Sequence, residues 1–324
     1  MKAILCKAYG PPSSLVLEDV DSLVPGPKDV VIAVKACGVN FPDTLIIQGK
    51  YQFKPSFPFS PGSEVAGLVL RTGSEIHNFD MGDRVMASVG HGGFAEEALA
   101  PADRLIPIPK GMDDITASAF VMTYGTALHA LKDRARIQEG ETLLVLGAAG
   151  GVGIATIEVG KALGARVIAA ASTEEKLALC REHGADATIN YATENLRERL
   201  RAVAGDRGVD VVCDPVGGEY SEPALRSMAW EGRFLVVGFA GGEIPRIPLN
   251  LALLKGCSIV GVFWGAFLQR DAARTKAHLQ ELIDLFTAGK LNPPVTATYP
   301  LDRAPEALTE FIERRVMGKI VIVP

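Results

Sequence analysis

The chain has no apolar run of bilayer-spanning length, no basic tract, no Cys-x-x-Cys pair and no secretory leader, and each absence removes a class of function. Its 324 residues are 48% hydrophobic, yet no stretch approaches the roughly 20 apolar residues needed to cross a hydrocarbon core. A soluble globular protein is expected, with no membrane partner. Net charge is −5 without clustered Lys or Arg, which offers nothing to a phosphate backbone and argues against nucleic acid as a partner. The cysteines (Cys6, Cys37, Cys180, Cys213, Cys257) are scattered and odd in number, which fits a reducing, cytoplasmic setting. The opening MKAILCKAYGPP lacks the long apolar core and cleavage site of a signal peptide and reads as a strand ending in a turn.

What is present is enough chain for two domains with their own cores. From Lys2 to Asp103, short alternating or apolar runs (LVLEDV, DVVIAVKAC, EVAGLVLRTG, DRVMASV) are punctuated by Pro and Gly, as in a compact β domain. Only PDTLIIQGK reads as a short helix there. After the break at Pro107, Pro109 and Gly111, the helical stretch DDITASAFVMTYGTALHALKDRA leads to TLLVLGAAGGVGIATIEVGKALG. In this segment the apolar run Leu143 to Leu146 enters a turn containing Gly147, Gly150, Gly151 and Gly153, and apolar residues then recur at helical spacing. Glycine lets the chain turn sharply and lets a pyrophosphate approach main-chain N–H groups, here those of Gly147, Ala149, Gly150, Gly151 and Val152, at a helix N-terminus that favours the anion. The fingerprint is imperfect, because Ala148 fills one glycine slot of strict GxGxxG, and such a turn also serves packing alone.

Strands and helices then alternate through RVIAAAS, ATINY, VDVVCDPVG and GRFLVVGF to SIVGVF. That pattern predicts an α/β protein whose second domain, residues 123–263, is a doubly wound parallel-sheet Rossmann domain. Residues 264–324, with TATYP and KIVIVP, are expected to return to the β domain of residues 1–122. The second Rossmann strand ends at Ala170, Ala171 and Ser172 without the Asp or Glu that binds ribose hydroxyls in NAD-selective domains. Loss of that acid, with Ser172 and Lys176 beside it, favours a 2′-phosphate and hence NADPH. Ser172 and Glu175 also have capping-box spacing, Lys176 also reads as a solvated helix lysine, and Tyr191 as a strand-end core residue.

The order of these segments, with GVNFPDTLIIQGKY, PFSPGSEVAGLV, GDRVMA, GGFAEE, LGAAGGVG, GADATINY, GVDVVCDPVGG and a closing GKIVIVP, resembles the quinone oxidoreductase (zeta-crystallin-like) branch of the medium-chain dehydrogenase/reductase superfamily across essentially the whole chain. The resemblance implies a GroES-like β-rich catalytic domain beside the Rossmann domain, and Ser172, Lys176 and Tyr191 around the 2′-phosphate. For the nicotinamide end it implies Asn40, Thr126, Gly238, Phe239, Ala240, Phe263 and Trp264, with Lys319 contributed from the closing strand; alone, Lys319 reads equally as a surface lysine. Zinc-dependent superfamily members carry Cys and His where this chain has Asn40 and Ser63, and SVGH is too short for a structural zinc lobe, so no metal is expected. The five histidines read as structural or solvated. Metal-free hydride transfer needs an acceptor that is already electrophilic and a donor for its oxygen. Asn40 and Tyr51 are the candidates for that donor, with Tyr124 in reserve. Three functions stay open: an NADPH:quinone oxidoreductase, a reductase of α,β-unsaturated ketones, aldehydes or enoyl thioesters, and an NADPH-binding structural or regulatory protein. The resemblance also implies a homodimer joined through SIVGVF, which carries no charge to protect an exposed edge.

Overall fold

The strand Asp29–Gly38 is buried at seven of its ten positions and pairs along both edges. Glu64–Thr72 lies on one side, and Glu97–Pro101 and the closing strand Lys319–Val323 share the other. This strand is central to a seven-stranded, largely antiparallel sheet whose parallel step joins Val295–Pro300 to Lys319–Val323. The computed structural model describes residues 1–324 and divides them into two compact units, one of Met1–Met122 with Pro293–Pro324 and one of Thr123–Asn292. The core of the first unit gathers Val30, Ile32, Val65, Phe94, Ile320 and Ile322. It is a GroES-like sheet domain.

The second unit holds six parallel strands in spatial order 3-2-1-4-5-6 along the chain, the dinucleotide-fold order. Its inner strands, Thr142–Leu146 and Val209–Asp214, are almost wholly buried because helices cover both faces. Gly147 turns the chain with φ +57°, and a Cβ on Gly153 would lie 2.4 Å from the Ala148 carbonyl oxygen, so helix Gly151–Ala162 packs directly against the turn.

Three local expectations need adjustment. The stretch before the turn is three pieces: Asp114–Ala117, Val121–Leu128 and a π-helical segment His129–Ala135. The fifth strand begins at Met228, earlier than GRFLVVGF implied. The chain returns to the first unit at Pro293, where residue 264 had been expected. Helix Ala272–Thr287 stays in the second unit because its inward face, Thr275, His278, Leu279 and Leu282, is buried there and Glu281 pairs with Lys132.

One close contact in this unit is testable. A Cβ on Gly125, in helix Val121–Leu128, would lie 2.4 Å from the Trp264 ring. Helix propensity alone favours Ala over Gly by about 1 kcal/mol, whereas overpacking costs about 1–3 kcal/mol. Gly125→Ala is therefore expected to lower the melting temperature and red-shift the emission of Trp264, the buried one of two tryptophans. A raised melting temperature with unchanged emission refutes this.

Candidate functional site

The carboxyl ends of the parallel strands assemble one edge of the second unit. Register pairs Leu146 with Ala170 and Ala171 with Asn190, so Gly147, Ser172 and Tyr191, each one residue past a strand, lie on adjacent strand ends. The Tyr191 N–H donates to Ala171 O at 3.1 Å and that of Ala148 to Ala170 O at 3.0 Å. Helix Gly151–Ala162 has Gly150 as its N-cap with no side-chain cap. A Cβ on Gly150 would meet nothing nearer than Gly147 O, 3.5 Å away. The turn is thus an open cradle for an anion, bounded by main-chain N–H groups.

Beside the cradle the edge carries hydroxyls and a cation and no carboxylate at the end of the second strand. Lys176 is half-buried; burial lowers its pKa, opposed by the neighbouring Glu175 carboxylate. The expected capping box at Ser172 is corrected: the N-cap is Thr173, whose Oγ1 accepts from the Lys176 N–H at 3.3 Å, so the Ser172 hydroxyl is not spent on the helix. The Tyr191 ring lies 4.2 Å from that of Tyr220. Farther along, Asp214 accepts from the N–H groups of Val216 and Gly217 at 2.8 Å and from Ser221 Oγ at 2.5 Å. Gly238 and Ala240 dock by N–H bonds to the carbonyls of Asp214 and Pro215, and Phe239 packs within reach of Gly217. Asp214 was not singled out from sequence, although VCDPVGG was its signal.

Other candidates in this unit do different work. The Tyr124 hydroxyl donates to Glu158 at 2.6 Å, and Glu158 also receives the Asn292 N–H and pairs with His183. Burial, then the Glu158 charge, push the Tyr124 phenol well up. Tyr124 is an internal brace, and its reserve role as donor to substrate falls away. Trp264 is buried over Gly125 with its indole Nε1 unbonded, whereas the neighbouring Phe263 is exposed. Thr126 is buried in Val121–Leu128.

In the first unit, Asn40, Lys319, Glu64 and Asp43 form one buried polar cluster. Lys319 is 3% exposed, which overturns the surface reading. Its three ammonium protons go to Val39 O at 3.0 Å, Asn40 Oδ1 at 2.7 Å and Glu64 Oε2 at 3.3 Å. Asn40 Nδ2 donates to Gly38 O and Glu64 Oε2, both at 3.2 Å. Both amide protons are therefore committed, and the expected oxyanion-donor role of Asn40 is corrected; its Oδ1 retains one lone pair. Asp43 caps helix Phe41–Ile46 by accepting the Asn40 N–H at 2.8 Å. Burial raises its carboxyl to about 7 against the lowering effects of that N–H and Lys319. Tyr51 is half-buried, its hydroxyl makes no hydrogen bond, and its phenol is raised by burial and then by the Asp43 charge.

An amide, the Ser63 hydroxyl and a lysine ammonium are not a zinc donor set. A catalytic zinc does not fit these residues. Cys37, the nearby sulfur, is fully buried and its thiol is held well above its ordinary pKa by burial, which opposes the thiolate a metal would need.

Comparison with known proteins places both units. Residues 26–110 match the alcohol dehydrogenase GroES-like domain, and residues 151–287 match the family described as zinc-binding dehydrogenase. A quinone oxidoreductase-like protein 2 homolog of Nematostella vectensis is 40% identical over 99% of this chain and 88% of its own length. The quinone oxidoreductase of Rattus norvegicus is 35% identical over 100% of this chain and 98% of its own. The crystal structure of Escherichia coli quinone oxidoreductase complexed with NADPH superposes with a TM-score of 0.93 at 28% identity, covering 100% of both chains. The chain belongs to the quinone oxidoreductase branch of the medium-chain dehydrogenase/reductase superfamily.

Proposed function

We propose that the chain is an NADPH-dependent, zinc-independent oxidoreductase that reduces a quinone, working as a cytoplasmic homodimer. The observation that carries the reading is the strand register that puts Ser172 and Tyr191 side by side, with Lys176 in the first turn of the helix that follows Ser172, at an edge with no ribose-binding acid. That set suits a phosphorylated ribose, whose added charge a carboxylate would repel. The main-chain N–H groups of Gly147, Ala149, Gly151 and Val152 suit the pyrophosphate, those of Ala148 and Gly150 being bonded to Ala170 O and Gly147 O, and Gly238, Phe239 and Ala240 continue the same edge. Asn40 Oδ1 is available to a ligand N–H. NADPH, when bound, supplies the hydride.

The protein's own contribution is binding, orientation and a proton donor. With Asn40 and Tyr124 committed elsewhere, the Tyr51 hydroxyl is the remaining donor of the three considered for the oxygen on which negative charge develops. Its raised pKa keeps it protonated at neutral and moderately alkaline pH. No helix is long and apolar enough to cross a membrane. Four of the five free cysteines are buried, which suits a reducing compartment. The edge strand Ser258–Gly261 pairs on one side only, and Trp230, Leu249, Leu253 and Leu254 are 70% to 80% exposed, more apolar surface than an isolated subunit ordinarily shows.

The reading is tested by following NADPH and NADH oxidation against quinones, enones and enoyl-CoA esters. Turnover with quinones and preference for NADPH are expected; activity confined to the enoyl substrates or preference for NADH overturns it. Lys176→Ala removes a charged contact of about 1.5–3 kcal/mol, so NADPH is expected to weaken about 10- to 100-fold while NADH changes little. Equal losses refute the role of Lys176. Tyr51→Phe is expected to lower kcat about 100-fold with little change in NADPH affinity. The wild-type rate should then hold on the alkaline side past the ordinary phenol pKa, and an unchanged kcat removes Tyr51 from the chemistry. Leu253→Lys, at 80% exposure in helix Asn250–Lys255, is expected to shift light-scattering mass from dimer to monomer. A wild-type monomer refutes the dimer.

A further inference from the structure

A second cluster of ligand-type side chains lies in the Rossmann unit, on elements other than the glycine-rich turn, with the His129 ring 6.1 Å from that of Trp264. His129 and Asp133 stand four residues apart on the π-helical segment His129–Ala135, and His278 faces them from helix Ala272–Thr287. One ligand atom from each lies within 4.8 Å of the others. His129 Nδ1 is 2.7 Å from Asp133 Oδ2, and His278 Nε2 is 3.4 Å from Asp133 Oδ1. All three side chains are buried or nearly so, at 7%, 12% and 4% exposure.

His278 is the informative member. It is a buried imidazole that makes no hydrogen bond: its Nδ1 has no partner, and its Nε2 meets Asp133 only at ion-pair distance. Leaving buried polar atoms unpaired is costly. The 3.4 Å separation is loose for a hydrogen bond but equals the spacing of two ligands on one tetrahedral ion, since bonds of about 2.1 Å at a tetrahedral angle place donors about 3.4 Å apart.

We propose that His129, Asp133 and His278 bind one divalent transition cation of the zinc type. Two imidazoles and one carboxylate form a nitrogen-rich donor set that suits zinc, cobalt or nickel and disfavours calcium and magnesium, which need oxygen ligands. Solvent supplies the fourth ligand. The ion clips helix Ala272–Thr287 to the turn following the Thr126 helix, while Phe267, stacked 4.2 Å from His129 and 5.6 Å from His278, walls one side. The charges facing the site are mixed. Arg274 lies 3.9 Å from Asp133 and over the Phe267 ring, opposing the ion, while Lys132 is neutralised by Glu281. Arg274 is half-exposed and pairs more closely with Asp271, at 3.1 Å, than with Asp133.

The test is a cobalt(II) titration of the chelator-dialysed full chain, read by visible absorption and reversed by zinc. One equivalent is expected to bind without thiolate-to-cobalt charge-transfer absorption. Asp133→Asn and His278→Gln should each weaken binding at least tenfold, and Arg274→Ala should leave it equal or tighter. Circular dichroism melts of the metal-free variants establish that each folds, and His129→Gln replaces either one that does not. No uptake by the wild type, a charge-transfer band marking cysteine ligands, or full affinity in the Asp133 and histidine variants overturns the site.

Discussion

The buried ammonium of Lys319 ties the closing strand of the first unit to its central strand. It reaches back 280 positions to the Val39 carbonyl and satisfies Asn40 and Glu64 with its other protons. A buried charge is tolerated only when paired and hydrogen-bonded, so the closing strand must sit beside Cys37 and Gly38, and Val39 N–H bonds to Ile320 O. The same ammonium holds the Asn40 amide in one orientation, and Glu64 uses its second oxygen on the Met122 N–H at 2.9 Å. Clusters of this kind add little net stability, because desolvation offsets attraction, yet losing one member costs about 3–5 kcal/mol. Their effect is to specify one arrangement.

The second unit is specified differently. Its inner strands are apolar except at Thr142, Asp210 and Asp214, and parallel register does the placing: once Leu146 pairs with Ala170 and Ala171 with Asn190, the residues just beyond must crowd onto one edge. Glycine is required at two points there, Gly147 for its positive φ and Gly153 for its approach to Ala148 O. Asp214 adds a polar brace, gathering three donors so that the following loop turns back over the edge.

This difference explains what was legible from sequence. The order of β domain, parallel α/β domain and closing strand followed from hydrophobic period and punctuation, and the cradle from four glycines. Those are local signals. The cap at Thr173 in place of Ser172 turned on one residue of helix start, which pattern alone does not resolve. The domain return at Pro293 was hidden because an amphipathic helix such as Ala272–Thr287 does not announce which core it covers. The commitments of Asn40, Tyr124 and Lys319 were hidden for a stronger reason: each depends on partners 24 to 280 positions away. His129 and His278, read separately as structural, meet only through the tertiary fold.

The lysine-centred cluster of the first unit bears on which chemistry the proposed activity can include. A zinc ion polarises a carbonyl by accepting its lone pair into an open coordination position. An ammonium acts only through its three protons, and all three are committed to protein oxygens. The positive charge of Lys319 is also offset at short range by Glu64, which shortens the reach of its field. The cluster can orient Asn40 but cannot activate an inert carbonyl. In the proposed activity the acceptor therefore brings its own electrophilicity, as a quinone does, and the uncommitted donor proposed for its oxygen is the Tyr51 hydroxyl.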